Sequence, residues 1–372
     1  MISRRLFAQR FSLAAASLPL LTEAALAQRA LVIGEARADT IWLNANENPD
    51  GPGKAAIEAM TEVLPSTFRY HYSEFGDFYA AVAHSEGLQA SQVLVGAGSS
   101  EIIHAAIDVY TSPTRPLIAS DPVFELPAML ATALGHPVVR IPLTPQYGAN
   151  VKQLAAEAEK AGGGLIYICN PNNPTSSITP GNDLDWLAAN LPPNTFLLLD
   201  EAYIHFAEPS EIASGIPHVQ QGRNVIVART FSKIYGMAGL RVGFGCARPD
   251  IIRSMTPFRD MVISIVGARA AQAALAESAT LIPQRRAKLA GIRRDLCAWL
   301  RENGLGYIEP YANFVMIDVK RDAPSIISGM MARGVAVGRP FPPLNQMLRV
   351  SLGTESDMIR FKQALQEVLK SN

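Results

Sequence analysis

One lysine, one arginine and three glycines lie within the stretch Thr230-Phe231-Ser232-Lys233-Ile234-Tyr235-Gly236-Met237-Ala238-Gly239-Leu240-Arg241-Val242-Gly243. Residues 224–228 precede it as an apolar run and predict a strand. Three glycines follow the lysine and let the backbone pass close to another group. Lys233 is therefore expected at the end of a strand.

Lys233 has the surroundings of a lysine that forms a Schiff base. A partly desolvated lysine amine condenses with a carbonyl group, which is the chemistry of enzymes that use pyridoxal phosphate. The hydroxyls of Thr230 and Ser232 and the cation of Arg241 suit a phosphate group. The alternative is an ordinary surface lysine after a strand, and other motifs decide between the two.

Two upstream runs end in polar groups that fit the same chemistry. Residues 196–199 predict a buried strand that ends in Asp200-Glu201-Ala202-Tyr203. An acid there pairs with a pyridinium nitrogen, and Tyr203 reaches the phenolic oxygen of the ring. Residues 165–169 precede Asn170-Pro171-Asn172-Asn173-Pro174-Thr175, a rigid loop that aims an amide. Three strand ends thus bring an amide, a carboxylate and a lysine to one sheet edge.

Seven motifs between residues 43 and 354 resemble those of the fold-type I pyridoxal-phosphate aminotransferases. Within that group the chain is most similar to the histidinol-phosphate aminotransferase family, because the motifs have the same order and spacing. They are Leu43-Asn44-Ala45-Asn46-Glu47-Asn48-Pro49, Arg69-Tyr70, Gly96-Ala97-Gly98-Ser99-Ser100-Glu101, Asn173-Pro174-Thr175, Asp200-Glu201-Ala202-Tyr203, Ser232-Lys233 with Arg241, and Leu348-Arg349-Val350-Ser351-Leu352-Gly353-Thr354.

The order of predicted elements indicates an α/β fold. Strand-like runs near residues 93, 117, 138, 165, 196 and 225 alternate with helical patterns, which is typical of a mostly parallel sheet with helices on both faces. The resemblance implies the seven-stranded sheet of aspartate aminotransferase-like enzymes and a smaller C-terminal αβ domain. We expect an N-terminal arm (28–65), a large cofactor-binding domain (66–274) and a small domain (275–372).

Composition excludes several other classes of protein. The 372 residues are 48% apolar and 18% charged, which describes a globular protein with a sizeable core. The formal net charge is zero and no basic run marks a nucleic-acid surface. Cys169, Cys246 and Cys297 lie too far apart for metal-ligand spacing, so no metal is expected.

Residues 1–27 have the pattern of a signal peptide. Ser3-Arg4-Arg5-Leu6-Phe7 resembles a twin-arginine export signal, an apolar run follows, and Ala25-Leu26-Ala27 is a small-residue cleavage site. The prediction is a periplasmic protein with no membrane anchor after the leader is removed. The alternative is a cytoplasmic enzyme that keeps this segment as an amphipathic extension.

The resemblance implies pyridoxal 5′-phosphate as cofactor and assigns its contacts. Lys233 is the catalytic residue, which holds the cofactor and then moves the Cα proton of the substrate. Asp200 pairs with the pyridine nitrogen, and Phe124 stacks on the ring where the family usually has tyrosine. The full cofactor-binding set is Ser99, Ser100, Glu101, Phe124, Asn173, Asp200, Tyr203, Thr230, Ser232, Arg241 and Tyr70.

Two parts of that set have separate physical arguments. The turn Gly96-Ala97-Gly98-Ser99-Ser100-Glu101 precedes a predicted helix, whose free N–H groups and dipole favour a phosphate; a purely structural glycine turn is the alternative. Tyr70 matches the tyrosine that reaches the cofactor phosphate of the neighbouring subunit. This match implies a homodimer with shared active sites. The alternatives are that Tyr70 only packs within its loop, or that the neighbouring Tyr72 is the matching tyrosine.

The expected substrates are a small-molecule amino donor and a 2-oxo acid. Arg349 matches an arginine that clamps the substrate carboxylate or phosphate region, and a guanidinium fork suits bidentate binding. Arg339 is a second anion contact or a solvated surface arginine, and Asn313 fits a pair near the substrate. Asn48 and Asp50 replace an aromatic residue near the substrate phosphate. Because a carboxylate repels a phosphate, Asp50 indicates a cationic or non-phosphorylated donor.

The predicted function is pyridoxal-phosphate-dependent transfer of an amino group between an amino acid or amino-alcohol phosphate and a 2-oxo acid. One alternative is another reaction on the same fold, such as racemisation, decarboxylation or β-elimination. The other is a noncatalytic ligand-binding protein, against which the intact Lys233, Asp200 and Asn173 argue.

Overall fold

Twelve strands and twelve α-helices can be followed in the computed structural model, which describes residues 36–259 and 263–371. The strands are β1 (Ile41–Leu43), β2 (Val93–Gly96), β3 (Leu117–Asp121), β4 (Val138–Pro142), β5 (Gly164–Cys169), β6 (Thr195–Asp200), β7 (Val225–Thr230), β8 (Gly243–Cys246), β9 (Gly306–Ile308), β10 (Phe314–Asp318), β11 (Val335–Val337) and β12 (Met347–Ser351).

The helices cover the faces of the sheets. They are α1 (Lys54–Val63), α2 (Phe75–Ser85), α3 (Ser99–Tyr110), α4 (Leu126–Ala133), α5 (Val151–Lys160), α6 (Gly181–Ala189), α7 (Ile216–Gln220), α8 (Pro249–Met255), α9 (Ile265–Ala276), α10 (Ser278–Glu302), α11 (Ala323–Ala332) and α12 (Glu355–Ser371).

Seven strands form the central sheet in the order β2-β8-β7-β6-β5-β3-β4. The strands from β7 to β4 are parallel, whereas β8 runs antiparallel to both of its neighbours. β5, β6 and β7 are almost wholly buried, since their Val, Ile and Leu side chains are covered on both faces of the sheet. The predicted α/β class and mostly parallel sheet are confirmed, and β8 is a strand that the sequence patterns did not indicate.

The register of the central sheet brings the predicted motifs to one edge. Cys169 at the end of β5 lies opposite Asp200 at the end of β6. Gly243 at the start of β8 lies opposite Thr230 of β7 and opposite Gly96 of β2. The antiparallel β8 therefore places the glycine turn before α3 beside the loop that carries the lysine.

The C-terminal part of the chain has a separate antiparallel sheet in the order β12-β10-β9. β11 does not join it. Instead β11 pairs in parallel with β1, with Ile41 opposite Val335 and Leu43 opposite Val337. A segment assigned from the sequence to the N-terminal arm thus lies against the C-terminal part of the chain.

The predicted signal peptide, residues 1–27, lies outside the described residues. Among the helices that the structure describes, none combines the length and apolar character needed to cross a membrane.

Candidate active site

A cavity of about 970 Å³ lies at the sheet edge where the parallel strands end. Such edges are the usual ligand sites of open α/β sheets. Its walls come from the segment after β1, the first turns of α3, the loops after β3, β5, β6 and β7, and β12. The predicted site residues among its lining are Ser100, Glu101, Phe124, Asn173, Tyr203, Ser232, Lys233, Arg241, Arg339 and Arg349.

Lys233 places a buried amine in this cavity. Lys233 is 6% exposed, and its Nζ donates a hydrogen bond to the carbonyl oxygen of Ala45 at 3.3 Å. Nζ also lies 5.5 Å from the ring centroid of Tyr203. The loop after β7 therefore holds the amine away from bulk water, which is the condition for a nucleophilic lysine.

Asp200 ends β6 as a buried carboxylate with defined donors. It accepts a hydrogen bond from the Tyr167 hydroxyl at 2.8 Å and from the backbone N–H of Ala202 at 3.1 Å. Burial, followed by the charge of Asp200, raises the pKa of Tyr167 well above its usual value. Tyr167 therefore stays protonated and remains a hydrogen-bond donor to Asp200. This role of Tyr167 could not be predicted from the sequence, because the residue lies within the apolar run of β5.

Arg349 and Asn173 meet in the cavity from different parts of the chain. Nη1 of Arg349 donates to Oδ1 of Asn173 at 2.6 Å, and Nη2 donates to the carbonyl oxygen of Asn44 at 2.6 Å. The guanidinium lies 4.6 Å from the ring centroid of Phe341. Arg349 is thus fixed at a short distance from the loop that aims Asn173.

The hydroxyls and the guanidinium around Lys233 form a cradle with the turn before α3. Thr230 Oγ1 donates to Ser232 Oγ at 2.8 Å, and Arg241 Nη1 donates to the same oxygen at 3.3 Å. Arg241 Nη2 reaches the carbonyl oxygen of Ala97 at 3.4 Å. Gly98 has φ +81°, and a Cβ there would lie 2.4 Å from Arg241 Nη2. Glycine at this position therefore lets the Arg241 guanidinium lie against the turn that precedes α3.

The remaining predicted cofactor residues are placed as follows. Ser99 and Phe124 line a small recess deeper in the site together with Asp200 and Lys233. Glu101 accepts a hydrogen bond from the backbone N–H of Ala97 and so holds the glycine turn in shape. Buried hydroxyl, amide, carboxylate, amine and guanidinium groups thus face one volume, and they match the phosphate, ring and carbonyl groups of pyridoxal phosphate.

Tyr70 lies on the surface of this chain and does not line the cavity. It is 73% exposed, and its ring stacks on Tyr72 at a centroid distance of 5.2 Å. The neighbouring Phe68 is 82% exposed. Three aromatic rings therefore stand on one short segment with little cover from the rest of the chain.

Three of the five predicted substrate residues have partners within the protein: two donate hydrogen bonds to backbone carbonyl oxygens, and one forms a salt bridge. Asn313 Nδ2 donates to the carbonyl oxygens of residues 46 and 47 at 3.1 and 3.2 Å. Asn48 Nδ2 donates to the carbonyl oxygen of Ile234 at 3.0 Å. Asp50 forms an ion pair with Lys288. None of these three side chains lines the cavity, so the geometry gives no support to the argument that Asp50 repels a substrate phosphate.

Asn46 is a buried junction that the sequence analysis did not single out. Ser351 Oγ accepts the backbone N–H of Asn46 at 2.8 Å and donates its own proton to Asn46 Oδ1 at 3.1 Å. This orientation leaves Asn46 Nδ2 to donate to the Tyr203 hydroxyl at 3.1 Å. Asn46 has φ +55°, a left-handed conformation that asparagine tolerates better than most residues.

A buried cluster of three charged residues, Arg229, Glu86 and Glu201, lies beside the ends of β6 and β7. Arg229, next to Thr230, lies 2.7 Å from Glu86 and 2.8 Å from Glu201. Burial raises the pKa of Glu86, and the charge of Arg229 opposes that rise. Burial alone lowers the pKa of Arg229, but the two carboxylates raise it above its usual value. The cluster fixes β6 and β7 directly behind Asp200 and the lysine loop.

Comparisons with known proteins agree with this geometry. The family described as Aminotransferase class I and II matches residues 38–365. The histidinol-phosphate aminotransferase of Symbiobacterium thermophilum is 35% identical over 335 residues, which are 89% of this chain and 91% of that protein. The histidinol-phosphate aminotransferase of Moorella thermoacetica is 33% identical over 335 residues, 89% of this chain and 86% of that protein.

A solved structure shares both the fold and the cofactor class. The histidinol-phosphate aminotransferase of Sinorhizobium meliloti, in complex with pyridoxal-5′-phosphate, superposes with a TM-score of 0.86 at 27% identity. The match covers 96% of each chain. A pyridoxal-phosphate site in this chain is therefore supported by its similarity to a protein of known structure as well as by its own side chains.

Proposed function

Because the chain belongs to the class I and II aminotransferases, we propose that it transfers an amino group between an amino acid or amino-alcohol phosphate and a 2-oxo acid. One observation carries the proposal: the buried amine of Lys233 shares a cavity with the guanidinium of Arg349. An amine nucleophile and an anion clamp in one cavity suit a substrate that has both an amine or carbonyl carbon and an acidic group.

The strand ends hold the ring of pyridoxal phosphate in the proposed site. When bound, this cofactor supplies an electron sink for the bond broken at the substrate Cα. Asp200, which accepts a hydrogen bond from the Tyr167 hydroxyl, would pair with the pyridine nitrogen. The oxygen of Asn173 accepts a hydrogen bond from Arg349, so its amide nitrogen would be the group that donates to the ring oxygen, together with the Tyr203 hydroxyl. Phe124 stacks on the ring face.

The cradle binds the phosphate of the cofactor. Its side-chain donors would be the hydroxyls of Ser99, Ser100 and Ser232 and the guanidinium of Arg241, while Thr230 donates to Ser232 Oγ and so orients it. The N-terminus of α3 would add backbone N–H groups. Glu101 shapes the turn rather than contacting the phosphate, since it accepts the N–H of a neighbouring residue.

Arg349 and Lys233 have different roles towards the substrate, the first in binding and the second in proton transfer. Arg349 binds the acidic group by its planar fork and so orients the Cα–H bond, while Arg339 lines the same cavity as a second cation. The Lys233 amine would act as the general base that takes the proton from the substrate Cα. The buried position of the amine excludes water from that transfer.

The proposal includes a homodimer in which Tyr70 of the partner subunit completes the phosphate cradle. The exposure of Phe68, Tyr70 and Tyr72 on one segment supports it, because exposed aromatic clusters mark protein interfaces.

The proposal also includes export through the twin-arginine pathway to the periplasm. The basic head and small-residue site within residues 1–27 support it. Cell fractionation of the wild type and of a doubly substituted Arg4→Lys/Arg5→Lys protein tests it. Periplasmic wild type with a cytoplasmic variant is expected, and a wild type that stays in the cytoplasm contradicts export.

Product analysis tests the reaction itself. Holoenzyme is incubated with a panel of amino donors and a 2-oxo acid. Mass spectrometry identifies the compound that carries the amino group, and chiral chromatography shows whether the donor is racemised. We expect the 2-oxo acid to gain the amino group of the donor. Racemised or decarboxylated donor without that transfer would assign another reaction to the site.

A further inference from the structure

His71 lies in the exposed segment that carries Tyr70. Residues 66–74 form this aromatic segment, and His71 joins its two ends. Nδ1 of the His71 ring lies 2.6 Å from Oε1 of Glu74, and Nε2 lies 2.9 Å from the carbonyl oxygen of Ser66. The side chain of His71 is only 10% exposed, although Tyr70 beside it is 73% exposed. His71 therefore closes the segment from within while Tyr70 projects from it.

Glu74 ties this contact to the folded domain. Its second carboxylate oxygen, Oε2, forms an ion pair with Arg269 of α9. α9 is itself packed into the core, since Ala270 and Ala271 are buried. His71, Glu74 and Arg269 thus form a clasp that holds the aromatic segment to α9. In the part of the chain that the structure describes, Glu74 and Arg269 are the charged groups that act on the His71 ring.

The clasp is complete only when both ring nitrogens of His71 carry a proton. The carbonyl oxygen of Ser66 and an ionised Glu74 carboxylate can only accept hydrogen bonds. A neutral imidazole has one N–H group and satisfies one of these partners, whereas imidazolium satisfies both. The hydrogen bond to Glu74, then that to Ser66, raises the pKa of His71 above its ordinary value of 6.5, and Arg269 opposes the rise. The hydrogen bond from His71 lowers the pKa of Glu74, which favours its ionised form.

The backbone of His71 sets the direction of the neighbouring rings. His71 has φ +57°, a left-handed conformation that a residue other than glycine keeps only where its surroundings hold it. Its carbonyl oxygen accepts the backbone N–H of Glu74 at 3.0 Å. Tyr70 and Tyr72 flank His71, and their rings stack with an interplanar angle of 15°. The side-chain clasp therefore stabilises the backbone conformation from which Tyr70 projects.

We propose that His71 is a positioning residue, whose clasp holds Tyr70 in the direction that reaches the phosphate cradle of the partner subunit. The inference rests on the homodimer of the proposed function and adds a residue that does not line the cavity. The clasp is complete at pH values below the native pKa of His71. It loses one of its two hydrogen bonds as the pH rises through that pKa, which lies above 6.5. Cofactor binding at the partner's site is expected to weaken over the same range.

Titration of the apoenzyme with pyridoxal phosphate, followed by the visible band that Lys233 forms with it, tests this role. His71→Asn removes the charge and keeps a residue that tolerates the left-handed backbone. At pH 6.5 its Kd is expected to be about threefold to tenfold weaker than that of the wild type, as for loss of one partly exposed hydrogen bond. At about pH 9 the two Kd values are expected to differ less than about twofold, because the wild type has also lost the proton. Since the ratio is taken at each pH, effects of pH on the cofactor itself cancel.

Three further variants separate the clasp from other effects. Glu74→Gln removes the carboxylate but keeps His71, and is expected to show the same pH-dependent ratio. His218→Gln is the matched control, because His218 pairs with Asp185 at 3.1 Å outside both the aromatic segment and the cavity, and its ratio should stay near one. Tyr70→Phe removes the hydroxyl through which the clasp acts. Adding His71→Asn to Tyr70→Phe is therefore expected to weaken Kd no further.

A heterodimer distinguishes an effect on the partner's site from a general loss of structure. One subunit carries His71→Asn, the other carries Lys233→Ala, and two affinity tags purify the mixed species. The visible band then reports only the site with an intact Lys233, and Tyr70 reaches that site from the subunit with wild-type His71. Its Kd at pH 6.5 is expected to equal that of the wild type. A defect confined to the fold of the altered subunit would leave Kd as weak as in the His71→Asn homodimer.

Three outcomes overturn the inference: an unchanged Kd in His71→Asn at pH 6.5, a Kd ratio that does not fall towards pH 9, and a heterodimer whose Kd stays weak. If His71→Asn does not fold, the same three measurements on Glu74→Gln decide. Failure of the proposed function gives a different result. The wild type then forms no visible band at any pH, or Tyr70→Phe binds the cofactor as tightly as the wild type, and His71 has no shared site on which to act.

Discussion

Gly98 and Arg241 show how tightly single residues constrain the phosphate cradle. Arg241 has φ +53° and reaches past Gly98 to the carbonyl oxygen of Ala97. The sequence predicted that this turn and this arginine serve one phosphate, but it could not show that the arginine packs against the glycine. Contacts between residues 144 positions apart depend on the sheet register and not on the local pattern.

Gly98→Ala is expected to weaken cofactor binding by tenfold or more. A Cβ at this position would lie 2.4 Å from Arg241 Nη2, and the positive φ adds strain. Gly239→Ala is the control, because Gly239 lines the same cavity and its Cβ would meet no atom within 4 Å. Titration of the apoenzyme with pyridoxal phosphate measures both. Equal affinity in the two variants would show that the cradle tolerates a displaced Arg241.

Arg229→Ala is expected to destabilise the fold by about 3–5 kcal/mol, because it leaves Glu86 and Glu201 as buried carboxylates without their cation. Urea unfolding measures the loss. The control is Arg333→Ala, which breaks a more exposed pair with Glu367 and should cost at most about 1 kcal/mol. Similar losses in the two variants would mean that the buried cluster contributes no more than a surface pair.

Among the elements, the parallel strands of the central sheet were easier to predict than the antiparallel strand β8, which pairs with β7. β5, β6 and β7 are apolar runs that end in polar residues, so both their presence and the position of Asn173, Asp200 and Lys233 followed from the sequence. β8 was missed since two of its four residues are glycine, which weakens any strand pattern. Without β8, the proximity of the α3 turn to the lysine loop could be inferred only from family resemblance.

The short helical turn Ile204–Phe206 adds a pH dependence to the fold. Burial, then the charges of Arg229 and Arg286, lowers the pKa of His205 to about 3. The unfolded chain takes up a proton at His205 below the ordinary pKa of 6.5, whereas the native protein does not. Native stability is therefore lost as pH falls from about 6.5 towards 3, by at most about 1.4 kcal/mol per pH unit from this group.

Urea unfolding at several pH values between 5 and 7 tests this dependence. His205→Gln cannot take up the proton, so its unfolding free energy is expected to fall less steeply with acidification than that of the wild type. Parallel curves for the two proteins would show that His205 has an ordinary pKa in the native state.

On the scale of the whole molecule, the site depends on contacts between distant parts of the chain. β1 pairs with β11, Asn46 joins Ser351 to Tyr203, and Ser176 Oγ accepts the backbone N–H of Ala312 at 2.8 Å. Ser176 itself adopts φ +62°, a left-handed conformation. The sequence located most of the residues that line the cavity, but not these connections, because hydrogen bonds between distant segments leave no periodic pattern.

The proposed homodimer predicts complementation between two inactive proteins. In a mixed dimer of Lys233→Ala and Tyr70→Ala subunits, one site carries both defects and the other has an intact lysine and tyrosine. Mixing the purified variants under conditions of subunit exchange should restore activity above that of either alone. The control replaces Tyr70→Ala by Tyr72→Ala, which should be active by itself and gain no activity when it is mixed with Lys233→Ala. Absence of any recovery despite verified exchange would contradict a shared site.

In the proposed function the Lys233 amine binds pyridoxal phosphate, and the site transfers an amino group to that cofactor. The most direct measurement is the absorbance spectrum of the purified holoenzyme before and after a mixed amino-donor pool is added without any 2-oxo acid. We predict a visible band that the pool abolishes and a later 2-oxo acid restores, with no such band in Lys233→Ala. A wild-type protein that shows no band after reconstitution, or a band that no donor changes, would contradict the account.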